Sequence, residues 1–192
     1  MKPTTRFRTM RTWIALVACT VSVLGCKEPA SPDASPELIQ DQPAVLQQGL
    51  NAYLIVSHTV QPVGGVVTVT ANIGTLEGEA TPTAFNASLR FNSERLEFLQ
   101  SIDLSDGALR FTNPDAAPGI AKIAAAAPNG FSSEKLFSVY MKVLKPNYLE
   151  GLALDLHELG LVERGAANIA SEVHVNSSVS TEAPVMLPGP GS

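Results

Sequence analysis

Three polar side chains alternate with apolar ones in residues 84–91, and they carry chemistry that could bind a partner. Successive side chains of a β-strand point to opposite faces, so Asn86, Ser88 and Arg90 would share one face. Asn offers two donors and one acceptor, Ser a hydroxyl, and Arg five donors in a planar fork. The strip suits a partly acidic, hydrogen-bonding partner, and we predict it as the partner-binding surface. A plain solvated strand face is the alternative.

A second polar group is formed by Asp155, His157 and Glu158, of which the first two would share an outward strand face. A zinc site needs a third protein ligand and supporting groups that orient the ligands. No residue nearby supplies them at a recognisable spacing, and His58 and His174 are isolated near strand ends. We therefore interpret these residues as solvated and predict no metal site.

The serines and acids do not form a recognisable catalytic pattern. A Gly-x-Ser-x-Gly nucleophile motif is absent. A glycosidase needs two carboxyl groups about 5–10 Å apart across a cleft. The neighbouring acids fall instead in predicted loops, at Glu77 and Glu79 and at Glu94 and Glu97. The sequence therefore predicts no catalytic residue and no cofactor, and a protein that is not an enzyme.

Strands with a period of two must position these side chains. Phe85, Ala87, Leu89 and Phe91 share the apolar face opposite Asn86. Turns rich in Pro, Gly, Asn and Asp separate about nine such segments, a pattern typical of a two-sheet sandwich. The other predicted strands are 53–56, 67–73, 96–102, 108–112, 121–126, 137–143, 152–156 and 169–175.

Composition excludes some classes of partner. The 192-residue chain has thirteen basic and eighteen acidic residues, and four of the basic ones precede residue 26. The rest has nine basic against eighteen acidic residues, a formal charge of −9. This argues against nucleic acid, because phosphate contacts need a basic face. The cysteines are Cys19 and Cys26, so the predicted domain has no disulfide and its core must supply the stability.

The first 25 residues have the pattern of a secretory signal, with cations, an apolar run and small residues at the end. The ending Val23-Leu24-Gly25-Cys26 resembles a bacterial lipobox. The resemblance implies cleavage before Cys26, whose thiol would carry the lipid that anchors the protein to the membrane. Lys27 follows where Asp would retain the protein at the inner membrane of enteric bacteria, which implies the outer membrane. An uncleaved anchor or an ordinary signal with an incidental cysteine is the alternative.

Prolines delimit the rest of the chain. Pro29, Pro32, Pro36 and Pro43 oppose regular structure, and the end of the chain is rich in Pro and Gly. The predicted organisation is a lipoprotein signal peptide at 1–25, the lipidated Cys26 with a flexible linker at 26–50, a β-sandwich at 51–178 and a disordered tail at 179–192.

The order of the strands resembles the cohesin family and its carbohydrate-binding relatives. Asn92-Ser93 stands where cohesins usually have Asp-Pro. The resemblance implies an all-β, nine-stranded jelly-roll sandwich whose partner is a dockerin, a small calcium-loaded helical module. It also implies that the sheet face with Asn86 is presented to the dockerin. Type I cohesins often have Asp where Asn86 falls, and another polar residue where Ala84 falls. The segments that carry the resemblance are 53–56, 65–69, 84–98, 118–119, 121–127 and 135–143.

These observations predict a membrane-anchored, non-catalytic binding module that docks a dockerin-type or other protein partner at the cell envelope. Direct binding of a polysaccharide and a purely structural envelope role are the alternatives. Sugar recognition generally needs several exposed rings, and Trp13 would leave with the signal. Tyr53, Tyr140 and Tyr148 then remain as candidate rings. Of these, Tyr140 would point outward and Tyr148 would lie in a loop, and two scattered rings are a poor platform.

Replacement of the lipobox cysteine tests the anchor. We expect Cys26→Ala to release the protein into the soluble fraction or to leave an unprocessed precursor, because the lipid has no other predicted attachment point. Fractionation of cells and the mass of the protein measure this. A Cys26→Ala protein that stays with the membranes at the mature mass contradicts the prediction.

Overall fold

Alternating apolar and polar residues form nine β-strands in the described part of the chain, which is residues 46–75, 80–165 and 167–181 of a computed structural model. The predicted signal peptide, Cys26, most of the linker and most of the tail lie outside the described residues. The strands are β1 (Leu50–Val56), β2 (Val66–Thr75), β3 (Pro82–Arg90), β4 (Leu96–Ser101), β5 (Leu109–Ala117), β6 (Ile120–Ala126), β7 (Lys135–Val143), β8 (Ala153–Leu161) and β9 (His174–Ser180).

The strands form two sheets, which confirms the predicted nine-stranded sandwich. One sheet has five strands in the order β4-β7-β2-β1-β9, and the other has four in the order β5-β6-β3-β8. The described strand pairs are antiparallel except β1 and β9, which run parallel. The helices of the described residues are short 3₁₀ turns at Val162–Arg164 and Ala170–Glu172. Neither of them is long and apolar enough to cross a membrane.

The core lies between the sheets and is built from the apolar faces that the alternation predicts. In β2, Val67, Val69, Ala71 and Ile73 are all fully buried. The ring of Phe85 packs edge-on against Phe131 at 5.8 Å and lies 6.1 Å from Phe137. Phe91, predicted to be in the core, is only half-buried because β3 ends at Arg90.

A bulge in β8 changes the phase of its alternation. Leu154 is buried and Leu156 partly so, but the next buried residues are Leu159 and Leu161. On β3 the partners Asn86 and Ala87 are adjacent, whereas their β8 partners Glu158 and Leu156 are separated by one residue. His157 is therefore the extra residue that a bulge inserts. Without it, the second half of β8 would turn its leucines to solvent.

The end of the sandwich differs from the prediction. The segment predicted as a strand at 169–175 begins with a 3₁₀ turn at Ala170–Glu172, and β9 follows at His174–Ser180. The side-chain oxygen of Asn168 accepts the backbone N–H of Ala170 at 3.0 Å, which favours the turn. The first two residues of the predicted tail belong to β9, because Ser180 is buried and pairs with Ile55.

Truncation of a buried strand residue tests the face assignment. Leu89 is fully buried in β3, so we expect Leu89→Ala to lower the free energy of unfolding by about 2–5 kcal/mol. Denaturant unfolding measures it. The matched control is Leu99→Ala on β4, where the side chain is 44% exposed and the loss should be much smaller. Equal losses for the two variants would show that the assignment of β3 is wrong.

Candidate functional site

The outer face of the four-stranded sheet combines exposed apolar and polar side chains. Phe111 is 72% exposed and Leu109 is 71% exposed, both on the edge strand β5. The strand register aligns residues across the sheet into rows. One row contains Leu109, Ala126, Ala84 and Gly160, and the next contains Phe111, Ala124, Asn86 and Glu158. We call this outer surface of β5, β6, β3 and β8 the docking face.

A buried ion pair turns the apolar residues of β5 towards solvent. Arg110 lies between Leu109 and Phe111 in sequence and points to the opposite side, where its side chain is 11% exposed and that of Asp106 is 2% exposed. The guanidinium donates to both carboxylate oxygens of Asp106, at 2.6 and 2.5 Å, and to the backbone oxygen of Leu136 at 3.2 Å. These hydrogen bonds hold the pKa of Asp106 below its ordinary value.

The same guanidinium packs on an aromatic ring of the core. The central carbon of Arg110 lies 5.3 Å from the ring centre of Phe131, within the range of a cation–π contact. Leu136 belongs to β7, so Arg110 also links the edge of one sheet to the backbone of the other. These contacts hold the side chain of Arg110 on the inner side of β5, inside the sandwich.

Leu109 and Phe111 are surface residues that the sequence does not predict as such. Their alternation with Arg110 and Thr112 is visible in the sequence, but alternation does not say which set faces inward. Apolar residues normally take the inner face, so the pattern predicts that Leu109 and Phe111 are buried, which is wrong. The available signal is Asp106-Gly107 just before Arg110, a turn that brings an acid within reach of the arginine.

Within the predicted strip, Asn86 is the residue whose side chain is available to hydrogen-bond a partner. It is half-buried at the centre of the docking face, between Ala124 on β6 and Glu158 on β8. Its amide makes no hydrogen bond within the described part of the chain. Two donors and an acceptor are therefore presented at a fixed position.

Ser88 was predicted to face solvent, but it is buried. Its residue exposure is 5%, and its hydroxyl lies 2.8 Å from Nε2 of His157. The bulge in β8 places the imidazole over the serine, which alternation alone could not reveal. Nδ1 of His157 has no hydrogen-bond partner among the described residues, and the nearby Asp155 is engaged elsewhere. The pair thus lacks the acid that orients the histidine of a hydrolase triad.

Arg90 is exposed, but its hydrogen-bonding capacity is partly used. Its guanidinium donates to both carboxylate oxygens of Asp155, at 2.5 and 2.9 Å, and this raises the pKa of the arginine. The side chains are 52% and 38% exposed. Asp155 and His157, interpreted from the sequence as solvated, are indeed partly and largely exposed, and they also contact the predicted strip. The described residues contain no group of three or more His, Cys, Asp or Glu side chains arranged to hold a metal ion.

Two of the three candidate sugar-binding rings are buried. Tyr53 is 6% and Tyr148 is 2% exposed, and burial raises the pKa of both phenols. The hydroxyl of Tyr148 donates to the backbone oxygen of His58 at 2.6 Å. This hydrogen bond holds in place a ring that was predicted from the sequence to lie in a loop. Tyr140 alone remains partly exposed, on the outer face of the five-stranded sheet.

Comparison with known proteins identifies the fold. No protein-family model matches the chain, and no curated protein matches it. Among solved structures, the second type II cohesin module of the adaptor scaffoldin ScaA of Acetivibrio cellulolyticus is 11% identical, with a TM-score of 0.52 over 74% of this chain and 95% of that one.

Two further cohesin modules give similar results. The module from a family 33 glycoside hydrolase of Clostridium perfringens is 15% identical, with a TM-score of 0.50 over 70% of this chain and 98% of that one. A type II cohesin of Bacteroides cellulosolvens is 13% identical, with a TM-score of 0.50 over 70% and 99%. The chain therefore has the cohesin fold, as its strand order predicted.

The buried ion pair can be tested by removing its charge. Asp106→Asn leaves the largely enclosed Arg110 without a counter-charge, so we expect a loss of about 1.5–3 kcal/mol in the free energy of unfolding at pH 7. The lowered pKa means that the carboxylate stabilises the fold above its ordinary value of 3.8, and that this contribution is lost as pH falls through the lower folded-state value. Between neutral and acidic pH, the free energy of unfolding should therefore fall less in Asp106→Asn than in the unmodified protein.

The matched control is Asp155→Asn, which removes the same kind of two-oxygen contact to arginine from an exposed pair. Solvent screens that pair, so its loss should be much smaller. Urea unfolding between pH 2 and pH 8 measures both variants. Equal losses would contradict a special role for the buried pair.

Proposed function

We propose that this protein is a non-catalytic docking module that binds a protein partner through the docking face. We further propose that it is held at the bacterial outer membrane, outside the cytoplasm, by a lipid on Cys26. The observation that carries the docking proposal is the exposure of Phe111 and Leu109 on a sheet whose phase is fixed by a buried ion pair.

Energetics favour the burial of these side chains by a partner. Full burial of a Phe or Leu side chain contributes about 1.5–3 kcal/mol. Ala124 and Ala126 are the neighbours of Phe111 and Leu109 on β6, so small side chains leave the two large ones accessible from the side. Protein interfaces combine such apolar anchors with directional polar groups, and Asn86 in the same row as Phe111 supplies one.

A dockerin-type partner is supported by the fold together with this face. Asn86 retains a hydrogen-bonding side chain where type I cohesins often have Asp, while Ala84 lacks the polar group usual at its position. The partner of this chain must therefore rely more on apolar contact near Ala84 and Leu109, which share a row. Another envelope protein with an apolar surface is the alternative occupant.

The anchor is supported by the sequence around Cys26. Residues 27–50, the proposed tether, could span roughly 75 Å if extended at about 3.1 Å per residue. The last residue of this segment, Leu50, is the first residue of β1. A binding face held at such a distance could reach partners that are not themselves at the membrane.

Affinity capture with the mature protein tests the partner class. Secreted and envelope proteins of the source bacterium are passed over the immobilised protein, with and without a calcium chelator. A recovered protein that is released by the chelator supports a dockerin-type module. Binding to insoluble polysaccharide without any protein partner would replace the proposal by the carbohydrate alternative, and turnover of a substrate would overturn the non-catalytic reading.

A substitution on β5 locates the interface. Because Phe111 is the largest exposed side chain of the docking face, we expect Phe111→Ala to weaken binding of the captured partner at least tenfold, or about 1.4 kcal/mol. Arg90→Ala should have a smaller effect, since its guanidinium is already held by Asp155. Calorimetric titration measures the affinities.

Leu99→Ala is the control, because this residue is exposed on β4 of the other sheet. It should change affinity less than twofold. If Leu99→Ala weakens binding and Phe111→Ala does not, the partner binds the opposite sheet and the assignment of the face is wrong.

A further inference from the structure

The open side of the sandwich, between the edge strands β4 and β5, contains a cleft. The hydroxyls of Ser101 and Thr112 lie 2.6 Å apart and join the two strands at one point. Beyond this contact, towards Leu96 on β4 and Ala117 on β5, a cleft of about 620 Å³ opens. This volume is within the range of about 300–1,000 Å³ that is usual for ligand sites.

An irregularity in β5 accompanies the cleft. Asn113 pairs with Lys122, and Ala117 pairs with Ile120. More residues therefore separate the two paired positions on β5 than separate their partners on β6. Pro114 lies in this stretch and has no backbone N–H to donate. The extra residues displace β5 from a regular ladder, as in a bulge. The cleft lies at this end of β5, whereas Leu109 and Phe111 lie at the other.

The floor of the cleft is apolar. Leu96 is fully buried, and the rings of Phe91 and Phe98 and the side chain of Leu144 are half-buried. Phe91 and Phe98 pack against the core on one side, which holds the rings in place. The floor therefore offers apolar area that a ligand can cover without first ordering mobile side chains.

Acidic groups flank this floor on both strands. Glu97 lies on β4 and Asp115 on β5, both residues are exposed, and no Lys or Arg lines the cleft. The nearest cation to Glu97 is Nζ of Lys142 at 3.7 Å, in a pair that is about half exposed. Asp115 makes no ion pair within the described ranges. The cleft is therefore complementary to a ligand that is apolar and positively charged.

The walls add a third feature, because β4 and β5 are the edge strands of their sheets. An edge strand has backbone N–H and C=O groups on its outer side that no neighbouring strand pairs. Extended peptides bind such edges by adding a strand, with alternate side chains entering the adjacent pocket. A neutral sugar chain has no repeating backbone amides to pair with the strand edge and no cations to pair with the carboxylates.

We propose that this cleft is a second binding site, separate from the docking face, for an extended peptide segment of a partner protein in which apolar residues alternate with Lys or Arg. The apolar side chains cover Phe91 and Phe98, and the cations meet Glu97 and Asp115. The net charge of −9 predicted for the mature chain favours encounter with such a segment.

Synthetic peptides test the proposal with the full mature protein at physiological salt, which screens long-range attraction. The probes are acetyl-Val-Lys-Val-Lys-Val-amide, the same peptide with Glu in place of Lys, and cellohexaose. We expect calorimetry to detect binding of the Lys peptide alone. A version of it with N-methylated backbone amides should bind at least tenfold more weakly, because strand addition needs those donors.

Variants then locate the site. Glu97→Gln with Asp115→Asn should weaken binding of the Lys peptide at least tenfold without changing the melting temperature. The charge-matched control is Glu158→Gln with Asp103→Asn, two exposed acids outside the cleft lining, and it should change binding less than twofold. Phe98→Ala, if folded, should also weaken binding, whereas Phe111→Ala should not.

Four results would overturn the proposal. They are an absence of Lys-peptide binding at millimolar concentration, equal binding of the Glu peptide, equal weakening by the control pair, and binding of cellohexaose in place of the Lys peptide. Because Phe111→Ala tests the docking face and the acid variants test the cleft, either site can fail while the other stands.

Discussion

The buried pair of Asp106 and Arg110 decides which surface this sandwich presents. A strand has two faces, and a shift of phase exchanges every side chain between them. Two ions removed from water are costly unless they are paired and hydrogen-bonded. Here the guanidinium is satisfied by the carboxylate and by the backbone of β7, so these contacts offset the cost of the inward position of Arg110. Leu109 and Phe111 must then face solvent.

A similar selection of orientation operates in β8 through its bulge. His157 is inserted between two regularly paired segments, which keeps leucines on the inner side of both halves. The inserted residue covers the hydroxyl of Ser88 and leaves Asn86 and Arg90 as the accessible residues of the predicted strip. The ion pair at the β5 edge and the bulge at the β8 edge therefore shape the apolar and the polar surface of the four-stranded sheet, respectively.

The period of the sequence was enough to predict the core, and not enough to predict the site. Val67 to Ile73 and Phe85 to Leu89 alternate strongly and fall on the inner faces, because burial of one face is what such alternation reflects. The site depends instead on pairings between distant positions. Ser88 meets His157 and Arg90 meets Asp155, contacts that join residues 69 and 65 positions apart. No local pattern encodes those contacts, and the inward turn of Arg110 contradicts the ordinary preference for apolar residues inside.

The position of β1 has a mechanical consequence. This strand follows the proposed tether and lies between β2 and β9, antiparallel to one and parallel to the other. Tension transmitted along the tether while a partner holds the docking face would pull β1 lengthwise. Both hydrogen-bond ladders would then be loaded in shear at the same time, rather than opened one bond after another as at a peeled edge. Resistance to forced unfolding is set by the rate of unfolding rather than by equilibrium stability. With the proposed anchor and partner in place, an internal first strand would therefore let the sandwich bear the load between them.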